Sequence, residues 1–263
     1  MIVLIPMAGA GSRFAKEGYK IHKPAIPTTD IRTGKKVPMV ICATNDIPNI
    51  QDSKIIYIDR DFHKSDNVED EILKYYQDAT FISLSYLTKG QASTCLLAKD
   101  LINNDEDLFI AGCDNGMVYN HDAFLELTKQ CDVIVFTYRN DYCVLEKPNA
   151  YGWVKVDEKN NITGISVKKS ISDNPMNDHA IVSSFWFKKG SIFVNMAEQM
   201  IEANDRINNE FYVDQVIKYV LKNGYKTKAF EISKYLGWGT PTDYENYENT
   251  IKYWADFVKK EQL

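Results

Sequence analysis

The sequence predicts an α/β protein with a mostly parallel, mixed sheet flanked by helices. Short apolar runs alternate with helical stretches through the first 140 residues, which is the order of parallel strands joined by crossover helices. A hairpin pattern follows Arg139, so the sheet should also contain antiparallel strands. The first strand runs straight into a loop of small residues. Ligands in such folds bind outside the carboxyl ends of the strands.

The predicted elements of the first half follow from apolar runs and from helical spacing. Ile2–Ile5, like the other strands, is short, apolar and rich in β-branched residues, which suits a strand buried on both faces. The predicted strands are 2–5, 54–59, 81–87, 108–112 and 133–138. The predicted helices are 38–46, 67–76, 95–102 and 121–129, and residues 28–36 are expected to form a polar turn.

The second half has a different pattern. Alternating residues at 151–157 and 162–167, separated by a polar turn, predict an antiparallel hairpin. One more strand is predicted at 180–187. Helices are predicted at 193–203, 211–221 and 241–260. No repeat or Pro/Ser-rich linker divides the chain, so we expect a single domain, 1–263, with halves at 1–140 and 141–263.

Composition excludes several classes of protein. With 44% hydrophobic and 25% charged residues, the chain is typical of a soluble globular protein. The net charge of −5 and the lack of a basic stretch argue against nucleic acid as a partner. No apolar run approaches the roughly 18 residues of a membrane span. Five scattered cysteines and the lack of a leader pattern predict a cytoplasmic protein with reduced thiols and no membrane association.

Residues 6–13 form the first candidate site. Ala and Gly at four consecutive positions would let backbone N–H groups approach a phosphate chain. Arg13 and Lys23 would supply positive charge to that chain. Phe14 stands where a dinucleotide fingerprint needs a small residue, and Ser12-Arg13 does not match the end of a Walker A loop. An ordinary strand-to-helix turn remains the alternative.

Two further strand ends carry polar groups. Asp114 follows an apolar strand and is interpreted either as a turn residue or as a Mg²⁺ ligand, since Mg²⁺ favours one or two carboxylates with phosphate oxygens. Gln91 follows another strand, and its amide can both donate to and accept from a nucleobase. The convergence of these strand ends points to a nucleotide site more strongly than any single motif does.

These motifs resemble a known family. Residues 6–14, followed by Lys23-Pro24, look like the motif of the nucleotidyltransferases with a GT-A-like, Rossmann-like fold, which include sugar-phosphate and phosphocholine nucleotidyltransferases. The resemblance covers nearly the whole chain. It implies transfer of a nucleotidyl group from an NTP to a phosphorylated acceptor, with release of pyrophosphate. It also implies a nucleotide-binding half, 1–140, and an antiparallel acceptor-binding half, 141–263.

The resemblance assigns roles by position. It implies Arg13, Lys23 and Lys168 as catalytic residues, Asp114 as the metal ligand, and Mg²⁺ as cofactor. The nucleotide-binding residues would be Met7, Ala8, Gly9, Ala10, Gly11, Ser12, Gln91 and Ser93. The acceptor-binding residues would be Glu210, Tyr212 and Lys169. Two adjacent lysines are also typical of a solvated surface, and Glu210 would equally suit the first turn of a helix.

One position departs from the family pattern. The family often has a second metal-binding Asp where this sequence has Gly239, so Glu210, Asp214 or water would have to replace it. Gly239 favours an alternative in which the chain binds nucleotide without turnover. A nucleotide-sugar glycosyltransferase would show Asp-x-Asp, whereas this chain reads Asp114-Asn115-Gly116.

The substrates are expected from resemblance alone. The whole-chain pattern looks closest to the capsule-associated branch near the phosphocholine cytidylyltransferases, which implies CTP and a small phosphorylated acceptor as partners. An amino-acid phosphate such as L-glutamine phosphate ranks first, phosphocholine second and a sugar phosphate third. The sequence leaves the formation of a homo-oligomer open.

Overall fold

A nine-stranded mixed sheet forms the centre of the computed structural model, which describes residues 1–261. The strands are β1 (Ile2–Pro6), β2 (Pro27–Thr29), β3 (Lys36–Pro38), β4 (Lys54–Arg60), β5 (Thr80–Leu84), β6 (Leu108–Ile110), β7 (Asn115–Val118), β8 (Val133–Tyr138), β9 (Gly152–Val156), β10 (Ile162–Val167), β11 (His179–Phe187), β12 (Thr227–Glu231) and β13 (Lys234–Gly237). The helices are α1 (Ser12–Lys16), α2 (Met39–Asn45), α3 (Val68–Leu73), α4 (Gln91–Cys95), α5 (Lys99–Ile102), α6 (His121–Thr128), α7 (Cys143–Glu146), α8 (Gly190–Glu202), α9 (Val213–Lys222) and α10 (Pro241–Glu261).

The part of the sheet that contains β1, β4, β5 and β6 is parallel where these four strands pair with one another, as predicted. Strand β1 lies between β4 and β6 and runs parallel to both, and β5 extends this part in parallel beyond β4. Leu4 packs into one hydrophobic core, while Val3 and Ile5 pack into the core on the opposite face. Because helices and loops cover both faces, the strand can be apolar at successive positions.

The other half of the sheet is antiparallel. Strand β11 pairs antiparallel with β6, β8 and β9, and β9 continues into the predicted hairpin with β10. The central path runs β10-β9-β11-β6-β1-β4-β5, and β8 connects β11 to β12. The predicted mixed α/β sheet is therefore confirmed.

Several short elements differ from the sequence prediction. The expected polar turn contains a two-stranded antiparallel ladder, β2–β3, and strands β7, β12 and β13 were not predicted. Strand β5 ends at Leu84, because Tyr86 and Leu87 are exposed rather than paired in the sheet. The helical stretch predicted at 95–102 begins earlier, at Gln91, and is divided into α4, a 3₁₀ turn and α5.

Helix α10 returns the chain to the first half of the molecule. Thr240 Oγ1 accepts a hydrogen bond from the backbone N–H of Asp243 and donates one to its carboxylate, which caps the helix start. Tyr244 and Tyr247 donate hydrogen bonds to the carbonyls of Pro27 and Thr29. Of the helices in residues 1–261, none is both long enough and apolar enough to cross a bilayer.

A buried carboxylate at the end of β4 gives a test of stability. Asp59 is fully buried, and neither carboxylate oxygen has a hydrogen-bond partner in the described part of the chain. Burial raises the pKa of Asp59 to about 6, and the charge of Glu69 acts in the same direction. At neutral pH the ionised group therefore costs stability. This cost shrinks as the pH falls below about 6 and is gone below about pH 4, the ordinary pKa of an Asp side chain.

Asp59→Asn should therefore stabilise the fold by about 1–2 kcal/mol at pH 7.5, since a neutral amide costs less to bury than a carboxylate. The gain should shrink below about pH 6 and vanish only below about pH 4, where Asp59 is protonated in both the folded and the unfolded chain. Urea unfolding at both pH values measures this, with the exposed Asp61→Asn as the control. If Asp59→Asn were no more stable than wild type at pH 7.5, the ionised carboxylate would not destabilise the fold.

Candidate active site

The small-residue loop lies at the carboxyl end of β1, as predicted. Met7 N–H donates to the Ile58 carbonyl at 2.8 Å, which extends the β1–β4 pairing by one step before the chain leaves the sheet. Gly9 and Ala10 then lie exposed. Gly11 has φ +60° where α1 begins, a conformation that a residue with a Cβ adopts only at a cost. The loop therefore presents backbone rather than side chains.

Lys23 and Asp114 come together beside this loop. They are 91 positions apart in sequence, and Lys23 Nζ lies 2.7 Å from Asp114 Oδ2. Their side chains are 22% and 29% exposed, so the pair lies at the wall of the cleft rather than in the core. A β-carbon on Gly11 would lie 3.9 Å from Lys23 Cβ, which places the loop against the same pair.

Each member of this pair fixes the charge of the other. Burial opposes the charge on Lys23, but the Asp114 carboxylate more than offsets burial, and the pKa of Lys23 is raised. Burial also favours the neutral form of Asp114, but the charge of Lys23 and its hydrogen bond prevail, and the pKa of Asp114 is lowered. Arg13 contributes positive potential to both groups. The pair stays ionised between these two pKa values, across the whole neutral range.

A cavity of about 290 Å³ opens over the pair. The predicted site residues that line it are Met7, Gly9, Ala10, Gly11, Lys23, Gln91 and Asp114. Of the other predicted residues, Ala8 is buried in the loop, while Ser12 and Arg13 are exposed on α1. Ser93 lies within α4, two residues beyond Gln91. The cavity is thus formed by three of the predicted strand ends.

One wall of the cavity was missed at the sequence level. His22 donates through its backbone N–H to Asp66 Oδ2 at 2.7 Å, and its Nδ1 lies 2.6 Å from the same oxygen. The His22 ring packs at 4.6 Å against Phe62, and the His63 ring packs edge-on against Phe62, also at 4.6 Å. Burial, reinforced by His22, lowers the pKa of His63 to about 4, so His63 is neutral at pH 7. The sequence pattern Phe62-His63 carried no motif that would have identified this wall.

The Gln91 loop is tied to the second half of the chain. Phe211 N–H donates to the Lys89 carbonyl at 2.8 Å, and Ala92 N–H donates to the Phe211 carbonyl at 2.9 Å. Gly90 has φ +117°, and a β-carbon there would lie 2.5 Å from the Phe211 backbone nitrogen. Glycine is therefore required for this close approach. The backbone pairing joins the segment that carries Gln91 to the segment that carries Glu210 and Tyr212.

The predicted acceptor residues form a second cluster outside the cavity lining. Lys168 Nζ donates to the Ala150 carbonyl and lies 5.3 Å from the centre of the Tyr212 ring. Lys169 and Glu210 are exposed. Asp214 lies against Gly152, whose missing side chain leaves room for the carboxylate. Burial raises the pKa of Asp214, and the charge of Lys168 partly opposes the rise.

Few side chains that could bind a metal lie near Asp114. Trp238 N–H donates to the Asp114 carbonyl at 2.9 Å, and a β-carbon on Gly239 would lie 3.2 Å from Asp114 Oδ2. Within residues 1–261, no group of three or more His, Cys, Asp or Glu residues could hold a metal ion. A single carboxylate fits a Mg²⁺ ion that takes its other ligands from phosphate oxygens and water. It does not fit a metal held by protein alone.

Comparisons with known proteins identify the fold. No protein-family model matches the sequence, and no curated protein matches it. Among solved structures, a nucleoside-diphosphate-sugar pyrophosphorylase from Vibrio cholerae RC9 has a TM-score of 0.77 at 16% identity, covering 94% of this chain and 99% of that one. An inositol-1-phosphate CTP transferase from T. maritima has a TM-score of 0.67 at 13% identity, covering 95% of each chain. HddC from Yersinia pseudotuberculosis, complexed with GMP-PN, has a TM-score of 0.62 at 19% identity, covering 94% of this chain and 98% of that one.

Sequence identities this low show neither a shared substrate nor a shared reaction. The structural overlap nevertheless extends over nearly the full length of each chain. In this chain, the overlapping region contains the alternation of parallel strands and helices and the antiparallel hairpin that follows it. The chain therefore has the mixed α/β, GT-A-like fold of the nucleotidyltransferases.

Proposed function

We propose that the protein is a Mg²⁺-dependent cytidylyltransferase that transfers a cytidylyl group from CTP to a small phosphorylated acceptor. The observation that carries this proposal is the ionised Lys23–Asp114 pair, set beside a small-residue loop at the wall of a 290 Å³ cavity. The loop offers backbone donors, Lys23 and Arg13 offer positive charge, and Asp114 offers one metal ligand. These are the groups that a transferring polyphosphate needs.

The reaction is an in-line displacement at phosphorus. An oxygen of the acceptor phosphate attacks the α-phosphorus of CTP and forms the new P–O bond. The bond from that phosphorus to the bridging oxygen of the β-phosphate breaks, and pyrophosphate leaves with the bonding electrons. No protein nucleophile is needed, so catalysis rests on positioning and on charge neutralisation.

Individual residues take separate parts in this scheme. Arg13 and the amides of residues 8–12 bind the leaving phosphates, and Lys23 neutralises the charge that gathers around the α-phosphate. Asp114 would hold Mg²⁺, which would supply positive charge to the phosphates. Residues 1–140 thus supply the nucleotide-binding half of the domain.

The base would bind at the other end of the cavity. The Gln91 amide can pair with both a donor and an acceptor on the edge of cytosine. Phe62 lines the cavity but already packs against His22 and, at 4.9 Å, the Arg60 guanidinium, so its ring would form an apolar wall beside the base. The inositol-phosphate neighbour is a CTP transferase by its name, and this supports CTP as the first donor to test.

The acceptor would bind at the cluster formed by residues of 141–263. Lys168 and Lys169 would meet its phosphate or carboxylate, and Tyr212 would form one wall. Glu210 and the partly buried Asp214 would meet an ammonium group. A pocket with charges of both signs suits a zwitterion, so L-glutamine phosphate giving CDP-L-glutamine ranks first. The motifs look most similar to the CTP:phosphoglutamine cytidylyltransferase of capsular phosphoramidate synthesis, and that role is part of the proposal.

A second candidate is a protein that binds nucleotide but does not catalyse the transfer. Gly239, beside Asp114, favours this candidate. The two candidates differ in one measurable product, because pyrophosphate appears only with turnover. A sugar-phosphate acceptor is the other alternative, and it leaves the reaction class unchanged.

The test is a pyrophosphate-release screen with Mg²⁺ that crosses all NTPs with L-glutamine phosphate, phosphocholine, amino-alcohol phosphates and hexose 1-phosphates. We expect CTP with L-glutamine phosphate to give the highest kcat/KM. If a hexose 1-phosphate with UTP or dTTP exceeded every CTP pair by tenfold, about 1.4 kcal/mol of transition-state stabilisation, the cytidylyl assignment would be wrong. Nucleotide binding without pyrophosphate in any pairing would favour the second candidate.

A further inference from the structure

Ser183 has a backbone conformation that serine rarely adopts. In residues 1–261, nine non-glycine residues have positive φ, and seven of them are Asn, which tolerates this region. The two exceptions are Lys168, at φ +55°, and Ser183, at φ +65°. Lys168 already belongs to the proposed acceptor cluster. Ser183 belongs to neither group, so its conformation needs an explanation of its own.

Ser183 lies where the two halves of the site meet. The pairing of β11 with β8 is irregular between Ile181 and Phe185, so the strand bulges at this point. Beyond the bulge, Phe185 pairs with Ile110 of β6, the strand that leads to Asp114. Before the bulge, Ala180 pairs with Trp153 of β9, the strand that begins at Gly152 beside Asp214. The bulge thus lies between the nucleotide side and the acceptor side.

The cavity lining points to the same place. Every lining residue within the described range comes from residues 6–114 except Ser183. The residue is partly exposed, and no side-chain hydrogen bond found among residues 1–261 involves its hydroxyl. The neighbouring Ser184 is buried, and its hydroxyl also lacks a partner within the described chain. The bulge therefore turns one serine towards the cavity and leaves the next one in the core.

A glycine at position 183 would adopt φ +65° without strain, so the serine side chain is retained against a conformational cost. Strained residues of this kind cluster at ligand sites, where the surrounding structure holds them. A free hydroxyl in a cavity lined by Lys23 and Asp114 offers one donor to an anionic ligand.

We propose that the Ser183 hydroxyl donates a hydrogen bond to an oxygen of the acceptor phosphate and aligns that phosphate for attack. This inference rests on the proposed transferase function, and it adds a contact that no sequence motif indicated. A hydrogen bond to a charged group is stronger than one between neutral groups. Its loss should therefore affect the acceptor and leave the affinity for CTP nearly unchanged.

The experiment compares Ser183→Gly, Ser183→Ala and the control Ser184→Ala. Ser183→Gly relieves the strain, so its Tm should rise by about 2–4 °C. Its kcat/KM for the acceptor should nevertheless fall about 10- to 100-fold, the scale of one charge-assisted hydrogen bond. Ser183→Ala should lose as much activity without the gain in Tm, because its Cβ keeps the strain. Ser184→Ala should retain wild-type turnover, and the KM for CTP should stay within about twofold in all three variants.

Titration with inorganic phosphate separates this inference from the proposed function. Wild type and Ser184→Ala should bind phosphate more tightly than both Ser183 variants, whether or not the protein turns over CTP. If wild type releases no pyrophosphate but this difference in affinity remains, the transferase assignment fails and the phosphate contact stands. If Ser183→Gly gains stability and keeps both full turnover and full phosphate affinity, Ser183 has no part in the site and the inference is overturned.

Discussion

Asp114→Ala should lose at least about 10²–10³-fold in turnover, the usual scale for one preorganised electrostatic group, and should stay folded. Two effects combine in this variant. The proposed Mg²⁺ loses its one protein carboxylate, and Lys23 loses the partner that keeps it aimed at the cavity, at 2.7 Å. Because both side chains are partly exposed, the loss of the pair should cost only about 1 kcal/mol of stability.

Steady-state pyrophosphate release, with a thermal melt of each variant, tests this prediction. Asp114→Asn is the matched control for shape, since it keeps the size of the side chain and loses its charge. It should be nearly as inactive as Asp114→Ala. The exposed Asp122→Ala should behave like wild type. Full activity in Asp114→Ala, or full wild-type activity with excess chelator, would remove the metal assignment.

Lys23→Ala should reduce turnover by about 10²–10³-fold, because a preorganised charge beside the α-phosphate would be lost. The remaining Asp114 carboxylate would then repel the polyphosphate, so the KM for CTP should also rise. Removal of Lys23 also removes the main cause of the low pKa of Asp114, while burial continues to favour the protonated form. Residual activity should therefore decline at a higher pH in acid than wild-type activity does.

Kinetics as a function of pH, with matched thermal melts, provides the measurement. Lys16→Ala is the control, because Lys16 lies exposed in α1, outside the cavity lining. The double variant of Lys23 and Asp114 should lose less than the product of the two single losses, since the groups act as one pair. A loss of only a few fold in Lys23→Ala would assign Lys23 to the surface rather than to the reaction.

The long apolar strands could be predicted from the sequence, whereas short strands without an apolar run could not. Strands β4 and β8 contain the uninterrupted apolar runs 55–58 and 133–136, which suit a strand buried on both faces. Strand β7, with Asn115 and Gly116 at its start, has no such pattern and forms through its pairing with β13. This pairing joins segments more than 100 residues apart, which local patterns do not encode.

The same limit applies to the site. Lys23, Gln91 and Asp114 could be predicted because each follows a strand or a small-residue loop, and parallel strand ends converge in space. The wall formed by His22 and Phe62 could not, because it depends on packing between two irregular segments. Ser183 lies inside a nine-residue strand, and its role as a lining residue depends on a bulge and a φ angle that are visible only in three dimensions.

The backbone pairing between Phe211 and the loop at Gly90 has a consequence for the order of substrate binding. Two hydrogen bonds and a contact too close for a side chain at Gly90 tie these segments together. A ligand that orders one segment also orders part of the other. The second ligand then loses less conformational entropy when it binds. By thermodynamic linkage, if bound nucleotide raises the affinity for the acceptor by some factor, bound acceptor must raise the affinity for the nucleotide by the same factor.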